Sequence, residues 1–300
     1  MLWNDGRSAA QCDHLTRAVP TLSAITGNLA MPGFTAPKVQ WVREHEPQVF
    51  AQTSLILLPK DYLRWHLSGE AVSDMSDASG TLWLDVGARV WSDTMLAASD
   101  LGVSHMPRLV EGSALAAQLK PALAARWGLP RNVVIAGGGG DNAASAVGMG
   151  CVAPGQGFVS LGTSGVIFVA GATFAPNPAK ALHAFCHALP QRWRQMSVML
   201  SAASALTWAA RTLGLADEAT LLQQAESLGE ARRESAPVFL PYLSGERSPH
   251  NNPNLQATWH GMTHDHQTAD LAYAVVEGVS LGLRDGWDSF GATPPAQQLS

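Results

Sequence analysis

One stretch limits the folds open to this chain more than any other. Arg131-Asn132-Val133-Val134-Ile135-Ala136 is a β-branched run, and Gly137 to Gly140 follow without a break. Asp141-Asn142-Ala143-Ala144-Ser145-Ala146-Val147 then begins a helical pattern that stops at Gly148. A strand that turns into a helix through consecutive glycines belongs to α/β architectures. Glycines let backbone approach a ligand closely, and the positive end of the helix favours anions. An acid at that point has two readings. It is a general base facing whatever lies over the strand end, or it is only a helix N-cap, a role that suits Asp141 or Asn142.

Gly138-x-Gly140-x-x-Ala143 also satisfies a loose dinucleotide fingerprint, which needs an acid about twenty residues further on to hold ribose. No Asp or Glu occurs between Asp141 and Asp217, so that reading lacks its ribose contact. The glycines from Gly150 to Gly155, with Pro154, form the best boundary in the chain and divide it into residues 1–150 and 151–300. Beyond it, residues 157–161 and 166–170 read as a hairpin whose tip is Gly162-Thr163-Ser164-Gly165. Two hydroxyls and open backbone N–H groups make that tip a nest for phosphate oxygens, or a mere tight turn. A Walker-type loop is absent.

Helices are expected over 38–50, 60–69, 91–99, 113–128, 204–213, 217–229 and 268–290, with a strand at 193–200. Residues 54–59 read as a strand or buried connector, 74–80 as a polar turn and Ser244–Pro253 as an irregular loop. Pro294 to Ser300 look like the entry to a strand with nowhere to pair. His183, Cys186 and His187 have no second ligand pair at metal-site spacing, so core is the better reading. His260, His264, Asp265 and His266 read as a solvated helix start, and the ten scattered tryptophans as core. No residue is assigned to a metal.

With 46% apolar and only 14% charged residues, the chain can bury a sizeable core. Its net charge of −5 without a basic stripe argues against nucleic acid or an anionic membrane as partner. The nearest approach to a membrane span, residues 157–175, is broken by Gly162, Gly165 and Gly171. The first residues lack the basic and apolar regions of a secretory signal. Cys12, Cys151 and Cys186 are odd in number and far apart, which reads as reduced thiols in a cytoplasmic protein.

Several segments carry a resemblance. Gly33-Phe-Thr-Ala-Pro-Lys38-Val-Gln-Trp41-Val-Arg-Glu44-His45 looks like one family signature; Ala257-Thr-Trp-His-Gly261-Met with Asp270-Leu-Ala-Tyr-Ala274-Val-Val-Glu277 looks like a second. With Trp3-Asn-Asp5-Gly-Arg7, Pro59-Lys60-Asp61-Tyr62-Leu63-Arg64, Asp74 to Thr81 and Pro241 to His250, they resemble the FGGY carbohydrate kinases. The likeness is closest to the bacterial xylulokinase branch and covers essentially the whole chain.

That resemblance implies two actin-like (ribonuclease H-like) α/β domains around a cleft. Residues 1–150 would bind sugar, and residues 151–300 would bind ATP. Asp141 would take the proton from the terminal hydroxyl of D-xylulose, with Asn142 beside it as a sugar contact. Gly162, Thr163, Ser164 and Gly165 would face the β- and γ-phosphates. Any Mg²⁺ would sit on the ATP phosphates and on an acid of a first phosphate hairpin. Family members begin with that hairpin and a Met-His-Gly sugar-binding stretch, and they end with a glycine-rich adenosine motif. None of these occurs here, so the chain is expected to be an internal segment, incomplete at both termini and impaired in activity. A ribulose, gluconate or glycerol kinase is the alternative within the family, and an inactive binding module is the alternative outside it. Exposed strand edges would favour association, compatible with a homodimer. The expected setting is the cytoplasm, with a sugar and ATP as partners and neither nucleic acid nor membrane.

Overall fold

Val134–Ala136 forms a strand, Asp141–Gly148 forms a helix, and the four glycines join them. The computed structural model describes residues 1–2, 5–291 and 298–299, and the chain divides into two units. The first comprises Met1–Gln156, Ala170–Pro178 and His183–Gln195; the second comprises Gly157–Val169, Ala179–Leu182 and Met196–Ser300. No helix among the described residues is long and apolar enough to cross a membrane.

In the first unit, Val134–Ala136 pairs antiparallel with Leu115–Gln118, and Val72–Asp74 pairs parallel with Arg108–Val110. The single helix expected over 113–128 is therefore a strand followed by a shorter helix, Pro121–Arg126. Pro121 explains the change: it lacks an N–H, fixes its own φ for a first helical turn and holds Lys120 out of the helical region. The polar turn expected at 74–80 is instead the end of a strand followed by the capped turn Met75–Ala78. Asp74 caps it, accepting from the N–H groups of Ser76 at 2.9 Å and Asp77 at 3.2 Å. Residues 54–58 take the connector reading, with the Ile56 N–H donating to the His105 carbonyl at 2.9 Å. Ala9–Ala18 and Leu22–Thr26 are helices that were not among those expected.

The second unit contains most of the hairpin, Gln156–Leu161 paired with Gly165–Gly171 from Gly157↔Val169 to Leu161↔Gly165. Its strands run in the order 298–299, 156–161, 165–171. Gln298–Leu299 thus does find a partner, contrary to the expectation for the last residues; Pro294 to Gln297 and Ser300 lie outside the described residues. Helices Ala203–Thr212, Glu218–Ser227 and Thr268–Asp288 pack around Phe239, Leu221 and Val275. Ala202, Ala205, Ala209, Ala272 and Ala274 are all fully buried there. Such small residues allow close approach of backbones, and Gly278 takes this furthest. A Cβ on Gly278 would lie 2.2 Å from the Phe239 carbonyl oxygen. Gly278→Ala should therefore destabilise by about 2 kcal/mol despite the better helix propensity of Ala. Gly148→Ala, where a Cβ meets nothing within 4 Å, should be neutral or slightly stabilising. Denaturant midpoints of the two variants compare them directly, and equal midpoints would contradict the packing argument.

His183, Cys186 and His187 turn to separate partners. His183 Nδ1 meets Asn28 Oδ1 at 2.9 Å, Cys186 Sγ donates to the Val86 carbonyl, and His187 Nε2 donates to the Cys151 carbonyl at 3.1 Å. The Leu189 N–H donates to His187 Nδ1 at 3.2 Å, which assigns the ring proton to Nε2. Burial pushes His187 down from 6.5 to about 4. The unfolded chain therefore takes up this proton first as pH falls, and stability is lost between about 6.5 and about 4. Urea midpoints measured across that window should fall with pH, and His187→Gln should flatten the slope. An unchanged slope in the variant would assign it to other groups.

Candidate active site

The helix Pro59–Ser68 has the expected period but turns an unexpected face inward. Its apolar residues Tyr62, Leu63 and Trp65 are exposed, whereas Asp61 and Arg64 are buried. Their partners lie further along the chain. Lys60 Nζ is 2.5 Å from Asp61 Oδ1, 2.6 Å from Asp74 Oδ1 and 3.3 Å from Asp77 Oδ2. Arg64 pairs with Asp61 at 3.1 Å and donates to the carbonyls of Val72 and Gly137. Ser73 Oγ donates to Asp61 Oδ2 at 2.6 Å. Burial by itself would lower the Lys60 pKa, but the charges of Asp74, Asp77 and Asp61 outweigh it and hold Lys60 above its ordinary value. Asp77 goes up as well, first through burial and against the pull of Lys60. One ammonium shared among three carboxylates leaves Asp77 incompletely compensated.

This network grips the glycine loop. Gly137 and Gly138 are needed for chain packing and backbone conformation. A Cβ on Gly137 would lie 2.4 Å from the Glu111 carbonyl, and Gly138 has a φ of +78°. Their N–H groups donate to the carbonyls of Ala114 and Gly112, and Gly140 N donates to Ser76 Oγ at 3.0 Å. Gly140, not Asp141 or Asn142, occupies the N-cap position of the following helix. Asp141 is the first helical residue and is exposed. Its Oδ1 accepts from the Asn142 N–H at 2.6 Å and from Asn142 Nδ2 at 3.1 Å. The two residues singled out from sequence are thus brought together on one turn. Arg194, on strand Trp193–Met199, has no signal in the sequence that singles it out, since Arg192, Gln195 and Ser197 lie in the same polar and apolar mixture. It is buried, stacked over the Phe185 ring at 4.9 Å, and pushed down to about 10 by burial against the opposing charges of Asp141, Asp77 and Asp74. It remains a cation at neutral pH and supplies a fixed positive field to those acids.

In the second unit the hairpin tip is exposed at Gly162 and Thr163. Part of the expected nest is already used, since the Gly162 N–H donates to the Ser164 carbonyl at 3.0 Å. The N–H groups of Thr163 and Ser164 have no acceptor among the described residues. Gly165 is buried, and a Cβ there would come 2.9 Å from Leu283 Cδ2, so it serves packing. The tip carbonyls of Gly162 and Thr163 accept from the Ala203 and Ala202 N–H groups, docking the hairpin on the start of helix Ala203–Thr212. Ser204 Oγ also donates to the Thr163 carbonyl at 2.8 Å. Beside this junction is an open cavity of about 350 Å³ lined by Thr163, Ser204, Thr207, Trp208 and Arg211. Apart from Thr163, the sequence reading had assigned none of these lining residues to the site.

The irregular loop Ser244–Pro253 clamps the end of the neighbouring strand. Glu246 Oε1 accepts from the Leu200 N–H at 2.9 Å, and the Ser248 N–H donates to the Val198 carbonyl at 3.1 Å. Burial raises the Glu246 pKa and lowers that of Arg247. Among the described residues no group of three His, Cys, Asp or Glu side chains suits a metal ion.

Comparison with known proteins sets this arrangement in context. The chain is 55% identical over 289 residues to the xylulose kinase of Escherichia coli (strain K12), covering 96% of this chain and 59% of that protein. It is 34% identical over 292 residues to the xylulose kinase of Bacillus subtilis (strain 168), covering 97% of this chain and 58% of that protein. Among solved structures, a xyloylose kinase from Brucella ovis matches with a TM-score of 0.94 at 49% identity, covering 99% of this chain and 61% of that one. This chain therefore spans about three-fifths of the length of these relatives. The fold is that of two-domain sugar kinases. Residues 1–148 match the N-terminal domain and residues 157–298 the C-terminal domain of one family, and the chain belongs to the FGGY family of carbohydrate kinases.

Proposed function

We propose that this chain takes part in transfer of the ATP γ-phosphate to D-xylulose, giving D-xylulose 5-phosphate. The observation that carries the reading is Asp141: an exposed carboxylate at the first turn of a helix whose cap is a different residue. Freed from the cap role, Asp141 is suited to take the proton from the attacking terminal hydroxyl. Asn142, already bonded to it, orients it and offers an amide to a second sugar hydroxyl. In the second unit, the Thr163 and Ser164 N–H groups and hydroxyls are the donors for phosphate oxygens, with Gly162 giving the approach its room. The xylulose kinases among the relatives favour D-xylulose over ribulose, gluconate or glycerol as the acceptor.

Magnesium, where the nucleotide brings it, would neutralise charge developing on the transferred phosphoryl group. The carboxylates of Asp61, Asp74 and Asp77 do not suit it, because Lys60 and Arg64 already occupy their inner faces. The metal belongs with the nucleotide phosphates in this reading.

ADP release measured with D-xylulose, D-ribulose, gluconate and glycerol should be fastest with D-xylulose. Asp141→Asn should lower that turnover by about a hundredfold or more, the range of general-base removal, with little change in melting temperature. Turnover near wild type would return Asp141 to a structural role, and no turnover with any acceptor would favour the binding-module reading. Gly162→Val should keep the fold, since a Cβ there meets only the Ser164 carbonyl oxygen at 3.8 Å, yet weaken ATP binding about tenfold. Unchanged ATP affinity would show the hairpin tip to be only a turn.

A further inference from the structure

We propose that Ser76, Asp74 and Lys60 are positioning residues for Asp141, acting through the Gly140 N–H, an inference that rests on the reading of Asp141 as the base. Ser76 Oγ has a single proton and gives it to Asp74 Oδ2 at 2.5 Å, so it meets Gly140 N as an acceptor, at 3.0 Å. Asp74 cannot turn. Its Oδ2 also accepts from the Ser76 and Asp77 N–H groups, and its Oδ1 faces Lys60 Nζ at 2.6 Å. Lys60 is in turn fixed by Asp61, which is held by Arg64 and Ser73. Arg64 reaches the Gly137 carbonyl at the other end of the loop. One network therefore holds the four-glycine loop at its first and last residues.

The contact is steric as well as polar. A Cβ on Gly139 would meet Ser76 Oγ at 3.4 Å, and one on Gly140 would meet Asp77 Oδ1 at 3.4 Å. The loop lies directly on the turn 75–78, and Asp141 is the next residue out. Buried ion networks add little net stability, because desolvation offsets most of their attraction. Their value here is geometric, since a general base works only when held within about half an ångström of its productive place.

Ser76→Ala isolates the bridge. Asp74 keeps its cap bonds to the backbone N–H groups of Ser76 and Asp77, so the turn survives the loss of the hydroxyl. Hydrogen exchange at the Gly140 amide should speed up about tenfold in this variant. The ¹³C signal of the Asp141 carboxylate should shift, and D-xylulose affinity by calorimetry should fall about tenfold with little change in melting temperature. Ser76→Thr, which restores the hydroxyl, should recover all three; failure of that variant to fold leaves the decision with Ser76→Ala. Unchanged Gly140 exchange would overturn the proposal, and so would faster exchange with an unmoved Asp141 signal. A wild-type chain that binds no D-xylulose would instead count against the proposed function, while the exchange and Asp141 readouts still decide the positioning.

Discussion

The ammonium of Lys60, set among three carboxylates beneath a run of glycines, is the interaction on which the first unit depends. It ties the start of one helix to the end of a strand and to the turn that follows. Arg64 and Ser76 extend it to both ends of the glycine loop. Asp61 and Asp74 are engaged inside this network, whereas Asp141, the next acid out, is exposed. The buried cation Arg194, on a different strand, interacts with the charges of Asp141, Asp77 and Asp74.

The second unit solves a different problem with different residues. Its core is built from alanines and a close helix approach at Gly278. The donors proposed for phosphate lie at the hairpin tip, beside the start of helix Ala203–Thr212. There the carbonyls of Gly162 and Thr163 use up the first helix N–H groups. The helix end therefore holds the hairpin in place, and the N–H groups of Thr163 and Ser164 remain to meet a ligand.

Much of this was legible in the sequence, and the exceptions have physical causes. The hairpin at 156–171 and the helices at 59–68, 203–212 and 268–288 announced themselves by period and by glycine punctuation, which are local signals. The inward face of helix 59–68 was not legible, because Asp61 and Arg64 are held by partners at 72, 73 and 137. Pairing across such separations leaves no mark in a single sequence. The Ala-rich stretch at 113–128 misled because alanine packs in either element, and only Pro121 marked the change. The four glycines join strand to helix as the pattern indicated, but their packing was not legible. Gly137 and Gly138 answer to chain packing and to a positive φ, while the polar contact at Gly140 arises from a serine in a segment read as a polar turn.

A structure of the chain with D-xylulose bound tests the central claim most directly. The account predicts the terminal hydroxyl of the sugar within hydrogen-bonding reach of an Asp141 carboxylate oxygen, roughly 2.6 to 3.2 Å, with the Asn142 amide on a second hydroxyl. A sugar seated elsewhere, or a terminal hydroxyl turned away from Asp141 toward another base, would contradict it.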